Sequence, residues 1–208
     1  MATNYDKIAW FYDLLSRLVY GKYIIKSQVC LLKYVPTNSN ILIVGGGTGW
    51  ILEELSTLYN SGLTIDYVES SAKMIALSKK RWAGDNMVHY INLPIENFTA
   101  GHPYDVIMTP FLFDNFQPDK ATLVFNNLSR QLKNNGIWLY ADFVYNETEG
   151  TWWQKLLLKI MYLFFRITCN IETSEIENME GLFKGHYQKI FESWFYGKFI
   201  RSQAYQKL

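Results

Sequence analysis

Residues 41–49 read Ile41-Leu42-Ile43-Val44-Gly45-Gly46-Gly47-Thr48-Gly49. A short apolar run rich in β-branched residues is typical of a strand that is buried on both faces. The glycines that follow let the backbone turn tightly and approach a ligand closely, because they have no Cβ. A helix is predicted next, over 49–59, and its first N–H groups are free to meet a polar ligand. A purely structural turn would also explain the glycines.

The rest of the chain continues the alternation of strand and helix patterns. Apolar runs predict further strands at 64–68, 87–91, 104–109 and 137–143. Residues 191–205 look like two more strands joined near Gly197, at the end of the sheet. This order predicts an α/β fold, a Rossmann-like three-layer sandwich with a seven-stranded, mostly parallel sheet and a C-terminal antiparallel hairpin.

An acidic residue ends the second predicted strand. Glu69 lies twenty residues after Gly49, where a carboxylate can accept hydrogen bonds from ribose hydroxyls. The alternative is an exposed Glu just before a helix, where the helix dipole favours a negative charge. Both interpretations place Glu69 at the carboxyl edge of the sheet, where ligands of such folds bind.

The spacing of the glycines separates two classes of cofactor. Dinucleotide-binding enzymes show G-x-G-x-x-G, whereas Gly45, Gly47 and Gly49 give G-x-G-x-G. This spacing resembles motif I of the class I S-adenosylmethionine-dependent methyltransferases. Later segments resemble that family's second motif, its loop after the third strand, its fourth strand and its entry to the fifth strand, at 66–74, 91–95, 104–109 and 134–138.

The resemblance implies a single methyltransferase-like domain over 1–208 that transfers a methyl group from S-adenosylmethionine to a small, partly apolar acceptor. It implies that the cofactor is held by Gly45, Gly46, Gly47, Gly49, Glu69, Ser70, Met74, Asn92, Leu93, Thr109 and Tyr12. One position departs from the family's pattern, because Ile43 stands where an Asp or Glu is usual. An Ile cannot hydrogen-bond the cofactor. A non-catalytic binding module of the same fold therefore stays open, as does a NAD-dependent oxidoreductase.

The first residues, 1–36, are expected to form a helical segment. Residues 5–13 are similar to the Y-x-x-x-A-x-x-Y-D start of small-molecule methyltransferases, including those that methylate quinone precursors. By that resemblance Tyr5 or Tyr12 closes over the cofactor. The alternative is an amphipathic helix whose tyrosines are half-buried packing.

The segment after the fourth predicted strand is the expected acceptor site. Over 109–116, three phenylalanines with one Asp and one Asn would form an apolar slot with a few polar anchors. The residues expected to contact the acceptor are Tyr5, Phe111, Phe113, Asp114 and Phe116. A buried loop in which Asp114 caps the helix near Asp119 is the alternative. No catalytic residue is assigned, because alignment of the nucleophile does most of the work in methyl transfer from a sulfonium.

A second wall is expected from a helix within 150–170. Lys155, Lys159, Tyr162 and Arg166 fall on one stripe, and apolar residues cover the remainder. A helix with so wide an apolar arc could cover a lipophilic substrate, form a homodimer contact through 152–167, or rest on a membrane surface. It could also be sandwiched within the fold.

Composition excludes several other classes of function. The 208 residues carry a net charge of +1, which gives no electrostatic case for a nucleic-acid partner. Neither the two cysteines nor the three histidines show metal-binding spacing, so no metal is expected. The N-terminus lacks a basic and an apolar region, so no secretory signal is expected and a cytoplasmic location is predicted.

Overall fold

In the computed structural model, the described residues are residue 6 and residues 9–145, 150–169 and 179–208. One seven-stranded sheet has the order β3-β2-β1-β4-β5-β7-β6. The strands are β1 (Asn40–Val44), β2 (Ser61–Val68), β3 (Asp85–Ile91), β4 (Tyr104–Pro110), β5 (Leu132–Phe143), β6 (Tyr187–Phe195) and β7 (Ile200–Lys207). Strands β1 to β5 pair in parallel, and β7 runs antiparallel to β5 and β6. The predicted fold class is confirmed.

Helices cover both faces of the sheet. They are α1 (Tyr12–Tyr20), α2 (Tyr23–Leu32), α3 (Trp50–Leu58), α4 (Ala72–Ser78), α5 (Pro118–Gln131), α6 (Trp152–Cys169) and α7 (Glu180–Phe183). Side chains of strand β1 pack against the helices on both faces of the sheet. Leu42 and Val44 pack in the cluster that contains α5, while Ile41 and Ile43 pack in the cluster that contains α2 and α3. This division explains why residues 41–44 are apolar without alternation.

The described part of the predicted helical N-terminal segment contains α1 and α2, which are separated at Gly21, where φ is 59°. One local prediction differs from the structure. Strand β5 begins at Leu132, earlier than the predicted 137. Asn135, also at positive φ, lies within it, and the pairing with β4 shifts register between Tyr104 and Val106. The Asn-Asn-Gly turn is therefore an irregularity inside the strand rather than a boundary.

Helix α4 has a side-chain cap at its N-terminus. Ser71 is the N-cap residue, and its Oγ accepts a hydrogen bond from the Met74 N–H at 3.1 Å. The same hydroxyl donates to Asp6 Oδ1 at 2.5 Å, which ties the N-terminal segment to this end of the sheet. No helix in the described part of the chain is long and apolar enough to span a membrane.

Candidate functional site

The glycine loop (45–49) has a backbone that other residues would not adopt readily. Gly45, Gly47 and Gly49 have φ values of 69°, 64° and 83°, in the left-handed region that glycine takes without strain. Gly46 is required for a different reason, because a Cβ there would collide with the ring of Tyr67. The Tyr67 hydroxyl donates a hydrogen bond to the Gly47 carbonyl at 3.0 Å. The ring therefore supports the loop from behind.

The position of Tyr67 explains why residue 43 is an apolar Ile. These two residues are register partners on β2 and β1, and both are fully buried in the same apolar cluster. Burial raises the pKa of Tyr67 well above its usual value, so its hydroxyl stays a neutral donor. The loop is therefore oriented by a Tyr on the neighbouring strand, and an apolar residue at position 43 packs beside it.

Glu69 lies where β2 ends, beside the glycine loop, and is only 6% exposed. Its Oε2 accepts a hydrogen bond from the Gly47 N–H at 3.2 Å, and its Oε1 accepts one from the Ser71 N–H at 2.9 Å. Burial raises the pKa of Glu69, and these two hydrogen bonds oppose the rise. The carboxyl thus connects the loop to the start of α4 at one fixed position.

A cluster of charged and polar groups fastens α1 to the glycine loop. Thr48 Oγ1 donates to the Asp13 carboxylate at 2.7 Å, and Arg81 Nη2 lies 2.8 Å from Asp13 Oδ2. Arg81 Nε also donates to the Thr48 carbonyl at 3.1 Å. We call Asp13, Thr48 and Arg81 the α1 latch. Because Asp13 follows Tyr12 directly, the latch fixes where Tyr12 lies.

Three adjoining cavities open at the carboxyl edge of the parallel strands. The loop cavity, about 80 Å³, lies between the glycine loop and Glu69, Met74, Tyr12 and Phe111. The Leu93 cavity, about 70 Å³, is bounded by Leu93, Ile95, Ser70 and Phe116. The helix cavity, about 150 Å³, lies between α1 and α6. Asn115 borders all three cavities, and Gly45 is shared by the first two.

The helix cavity is apolar except at one end. Leu15, Val19, Phe143 and Met161 are among the side chains that line it. Asp114 is the one acidic residue among its lining side chains in the described part of the chain. An apolar cavity with one acidic anchor is suited to a mainly hydrophobic ligand that carries a polar group.

Asp114 has a second carboxyl nearby. Burial and the negative charge of Asp142 raise the pKa of Asp114 well above its usual value. Burial raises the pKa of Asp142 to about 7. Hydrogen bonds from the N–H groups of Phe143 at 2.9 Å and Phe113 at 3.2 Å oppose that rise. Proton uptake by this pair is therefore expected within the neutral range.

Most predicted site residues border these cavities. The residues that do so are Tyr12, Gly45, Gly46, Gly47, Glu69, Ser70, Met74, Leu93, Phe111, Asp114 and Phe116. Phe116, expected to face the acceptor, borders the Leu93 cavity instead. Tyr5 lies outside the described residues.

The structure places four predicted residues away from the cavities. Gly49 caps α3, and a Cβ there would press on Ser78 of α4. Asn92 donates from Nδ2 to the carbonyls of Glu69 and Ser70, at 2.9 Å each, and so braces the backbone. Thr109 is fully buried and accepts from Trp138 Nε1 at 2.9 Å. Phe113 packs against Trp138 in the core.

Sequence reasoning missed several residues that border the cavities or the latch. They are Asp13, Ser16, Thr48, Trp50, Arg81 and Pro110. Asp13 and Pro110 lie inside the two segments singled out at 5–13 and 109–116, so those motifs carried the signal. Arg81 has no such signal, because its role depends on how α4 packs beside the loop.

The strand order, the glycine loop and the acidic end of β2 define a Rossmann-like methyltransferase fold. Residues 41–136 match the family model described as a methyltransferase domain. A malonyl-[acyl-carrier protein] O-methyltransferase of Bacillus anthracis is 35% identical over 105 residues, which are 50% of this chain and 37% of that protein. The chain thus spans well under two thirds of this curated relative.

Solved methyltransferase structures share the fold. An O-methyltransferase family protein from Burkholderia thailandensis has a TM-score of 0.68 at 18% identity, covering 95% of this chain and 58% of that one. The magnesium protoporphyrin IX methyltransferase from Synechocystis PCC 6803, with bound SAH, has a TM-score of 0.64 at 13% identity, covering 98% and 97%. Residues 41–136 therefore match a methyltransferase-domain family model, and the chain shares the fold of these solved methyltransferases.

Proposed function

We propose that this chain transfers the methyl group of S-adenosylmethionine to a small, largely apolar acceptor held in the helix cavity. The observation that carries the proposal is the continuity of the cavities. Tyr12, Phe111 and Asn115 border both the loop cavity and the helix cavity. A donor bound at the glycine loop would therefore meet an acceptor bound between α1 and α6 across these three side chains.

The residues present fit the donor. The loop cavity is bordered by Gly45, Gly46 and Gly47, and by the buried Glu69 carboxyl, which can accept from ribose hydroxyls. The Leu93 cavity offers apolar walls, from Leu93, Ile95 and Phe116, to a flat adenine ring. S-adenosylmethionine, when bound, supplies a methyl group on a positively charged sulfur, which is a good leaving group.

The chain's own contribution is to position the acceptor and exclude water. The apolar walls of the helix cavity desolvate the acceptor, and fixing its nucleophile in line is worth several orders of magnitude in rate. Asp114 is proposed to hold the acceptor's polar group and, when ionised, to accept its proton. Because burial and the negative charge of Asp142 raise the pKa of Asp114, turnover of a hydroxyl acceptor is expected to increase as the pH rises through that raised pKa.

Calorimetry tests the donor site. The chain is expected to bind S-adenosylmethionine and S-adenosylhomocysteine, and Glu69→Ala should weaken both by roughly tenfold or more, since it removes hydrogen bonds made by a buried charged group. Glu54→Ala is the matched control, because Glu54 on α3 borders none of the three cavities. No binding of either compound, or tighter binding of NAD in the same titration, would overturn the proposal.

The outer side of α6 supports a further contact. Its exposed apolar residues, at 152, 156, 160 and 163, can meet a membrane surface or a second copy of the chain. The acceptor itself is proposed to be a small molecule, because the helix cavity is only about 150 Å³ and is lined mainly by apolar side chains.

A further inference from the structure

Helix α6 turns a stripe of large side chains to solvent. The exposed residues recur three or four positions apart, which places them on one side of the helix, at 152, 155, 156, 159, 160 and 163. Four of them are apolar and two are lysines, and Trp152 is 78% exposed. Tyr162, predicted to share the polar stripe with these lysines, is instead buried. The exposed side is therefore amphipathic, with lysines set among apolar residues.

The N-terminal segment presents a matching stripe. Trp10 is 82% exposed, and Leu14 and Leu18 follow at helical spacing with the exposed Arg17 between them. The two helices meet where the Tyr20 hydroxyl donates to Met161 Sδ at 3.1 Å. Their inner sides wall the helix cavity, and Ile160 both borders that cavity and is exposed. The two stripes thus lie on the elements that enclose the proposed acceptor site.

Helices α1 and α6 carry more positive than negative side chains. They contain four of the 20 lysines and arginines, Arg17, Lys155, Lys159 and Arg166, but one of the 19 acidic residues. That acidic residue, Asp13, is paired with Arg81 in the α1 latch. Since the whole chain is nearly neutral, the remainder is acidic and the α1–α6 side is basic. A negatively charged surface is the complement of such a patch.

We propose that these two stripes dock the protein on an anionic lipid bilayer, with the apolar side chains at the headgroup boundary and the basic ones against lipid phosphates. Tryptophans beside lysines and arginines are the composition of interfacial helices. Docking would bring the helix cavity to the lipid, and, if the proposed function holds, an acceptor dissolved in the bilayer reaches Asp114 through it. A two-fold dimer through the same stripe is disfavoured, because it would oppose Lys155 and Lys159 to their own copies.

Co-sedimentation with vesicles tests the docking. The full chain is expected to bind vesicles of phosphatidylcholine mixed with phosphatidylglycerol at least roughly tenfold more tightly than phosphatidylcholine alone, and added salt should weaken the binding. The double variant Trp152→Asp, Leu156→Asp should lose binding to the mixed vesicles by roughly tenfold or more. Trp82→Asp is the matched control, since Trp82 is 56% exposed at the end of α4, away from both stripes.

Two outcomes would overturn the docking. One is that the chain does not bind the mixed vesicles, and the other is that Trp82→Asp loses as much binding as the double variant. A dimer in light scattering that Leu156→Asp dissociates, without vesicle binding, would assign the stripe to a second copy instead. Calorimetry with S-adenosylhomocysteine on the same variants keeps the two proposals separate, because neither Trp152 nor Leu156 borders the cavities.

Discussion

The glycine-loop edge and the α1–α6 side of the molecule are built in different ways. At the edge, Glu69 accepts hydrogen bonds from the N–H groups of Gly47 and Ser71, and the Tyr67 hydroxyl donates to the Gly47 carbonyl. The elements that carry these residues follow one another closely along the chain. Between α1 and α6, three distant segments meet through apolar contacts and one hydroxyl–sulfur hydrogen bond. A polar site built from segments that are close in sequence suits a ligand that does not vary, such as a cofactor. In an apolar cavity between helices, a few substitutions can change which acceptor binds.

Gly46→Ala is expected to have the largest effect on the loop edge. The new Cβ would collide with the Tyr67 ring, which is fixed in the core, so the loop must move. We expect roughly a hundredfold loss of S-adenosylhomocysteine affinity and about 1–3 kcal/mol lower stability. Calorimetry and urea unfolding measure the two quantities.

Gly101→Ala is the control for that variant. Its Cβ would meet nothing within 4 Å, so both quantities should match those of the wild type. If Gly46→Ala bound the ligand as the wild type does, the tight fit between loop and Tyr67 would be contradicted.

The carboxyl pair at the helix cavity predicts how stability depends on pH. The pKa of Asp142 is about 7 when folded and near 4 when unfolded, so between these values only the folded chain holds the proton. The free energy of unfolding should therefore fall as the pH rises from 4 to 7, by up to roughly 1.4 kcal/mol per pH unit. Asp142→Asn should make this slope smaller, and Asp114 should keep it from vanishing.

Urea unfolding at several pH values measures that slope. An equal slope in the wild type and in Asp142→Asn would show that Asp142 does not titrate in this window. Asp119→Asn, a change in the first turn of α5, is the control and should leave the slope as it is in the wild type.

The α1 latch connects the two regions, and Asp13→Asn should loosen it. Asp13 and Arg81 are each about 30% exposed, so their ion pair is partly screened, and the hydrogen bond from Thr48 adds to it. We expect a loss of about 1–2 kcal/mol, seen as roughly fivefold to thirtyfold weaker S-adenosylhomocysteine binding. Asp85→Asn, at the start of β3, should bind as the wild type does. If Asp13→Asn bound S-adenosylhomocysteine as tightly as the wild type, the α1 latch would not be what positions α1 beside the glycine loop.

Tyr67→Phe is expected to give the smallest change. It keeps the ring beneath Gly46 and removes only the hydrogen bond to the Gly47 carbonyl. The loss should be about 1 kcal/mol, or roughly fivefold in affinity for S-adenosylhomocysteine. If the affinity instead fell as far as in Gly46→Ala, the hydroxyl rather than the ring would be the main support of the loop.

The same contrast decides what the sequence could predict. Residues 41–49 and Glu69 lie next to the elements that position them, so periodicity and glycine spacing predicted their strands and their edge. The helix cavity depends on α1, the segment at 111–115 and α6 coming together. Thr109, predicted to hold the cofactor, and Phe113, predicted to face the acceptor, are both buried in the core. Side-chain direction after β4 follows from contacts with Trp138, which local patterns do not encode.

The departure at Ile43 from the family's pattern shows what the sequence could not predict at the glycine-loop edge. Ile43 looked like a missing cofactor contact, because the sequence does not reveal that Tyr67 is its partner on β2. Once the register is known, Ile43, Gly46 and Tyr67 form one packing unit, in which the absence of a Cβ makes room for the ring. Single positions in a motif are thus poorly judged without their neighbours across the sheet.

A crystal structure of the chain with S-adenosylhomocysteine tests the account most directly. We predict electron density that runs from the glycine loop past Glu69 into the Leu93 cavity, with the sulfur turned toward Phe111 and the helix cavity. Density elsewhere on the sheet, or a loop cavity without the ligand at saturating concentration, would contradict the assignment of this edge as the methyl-donor site.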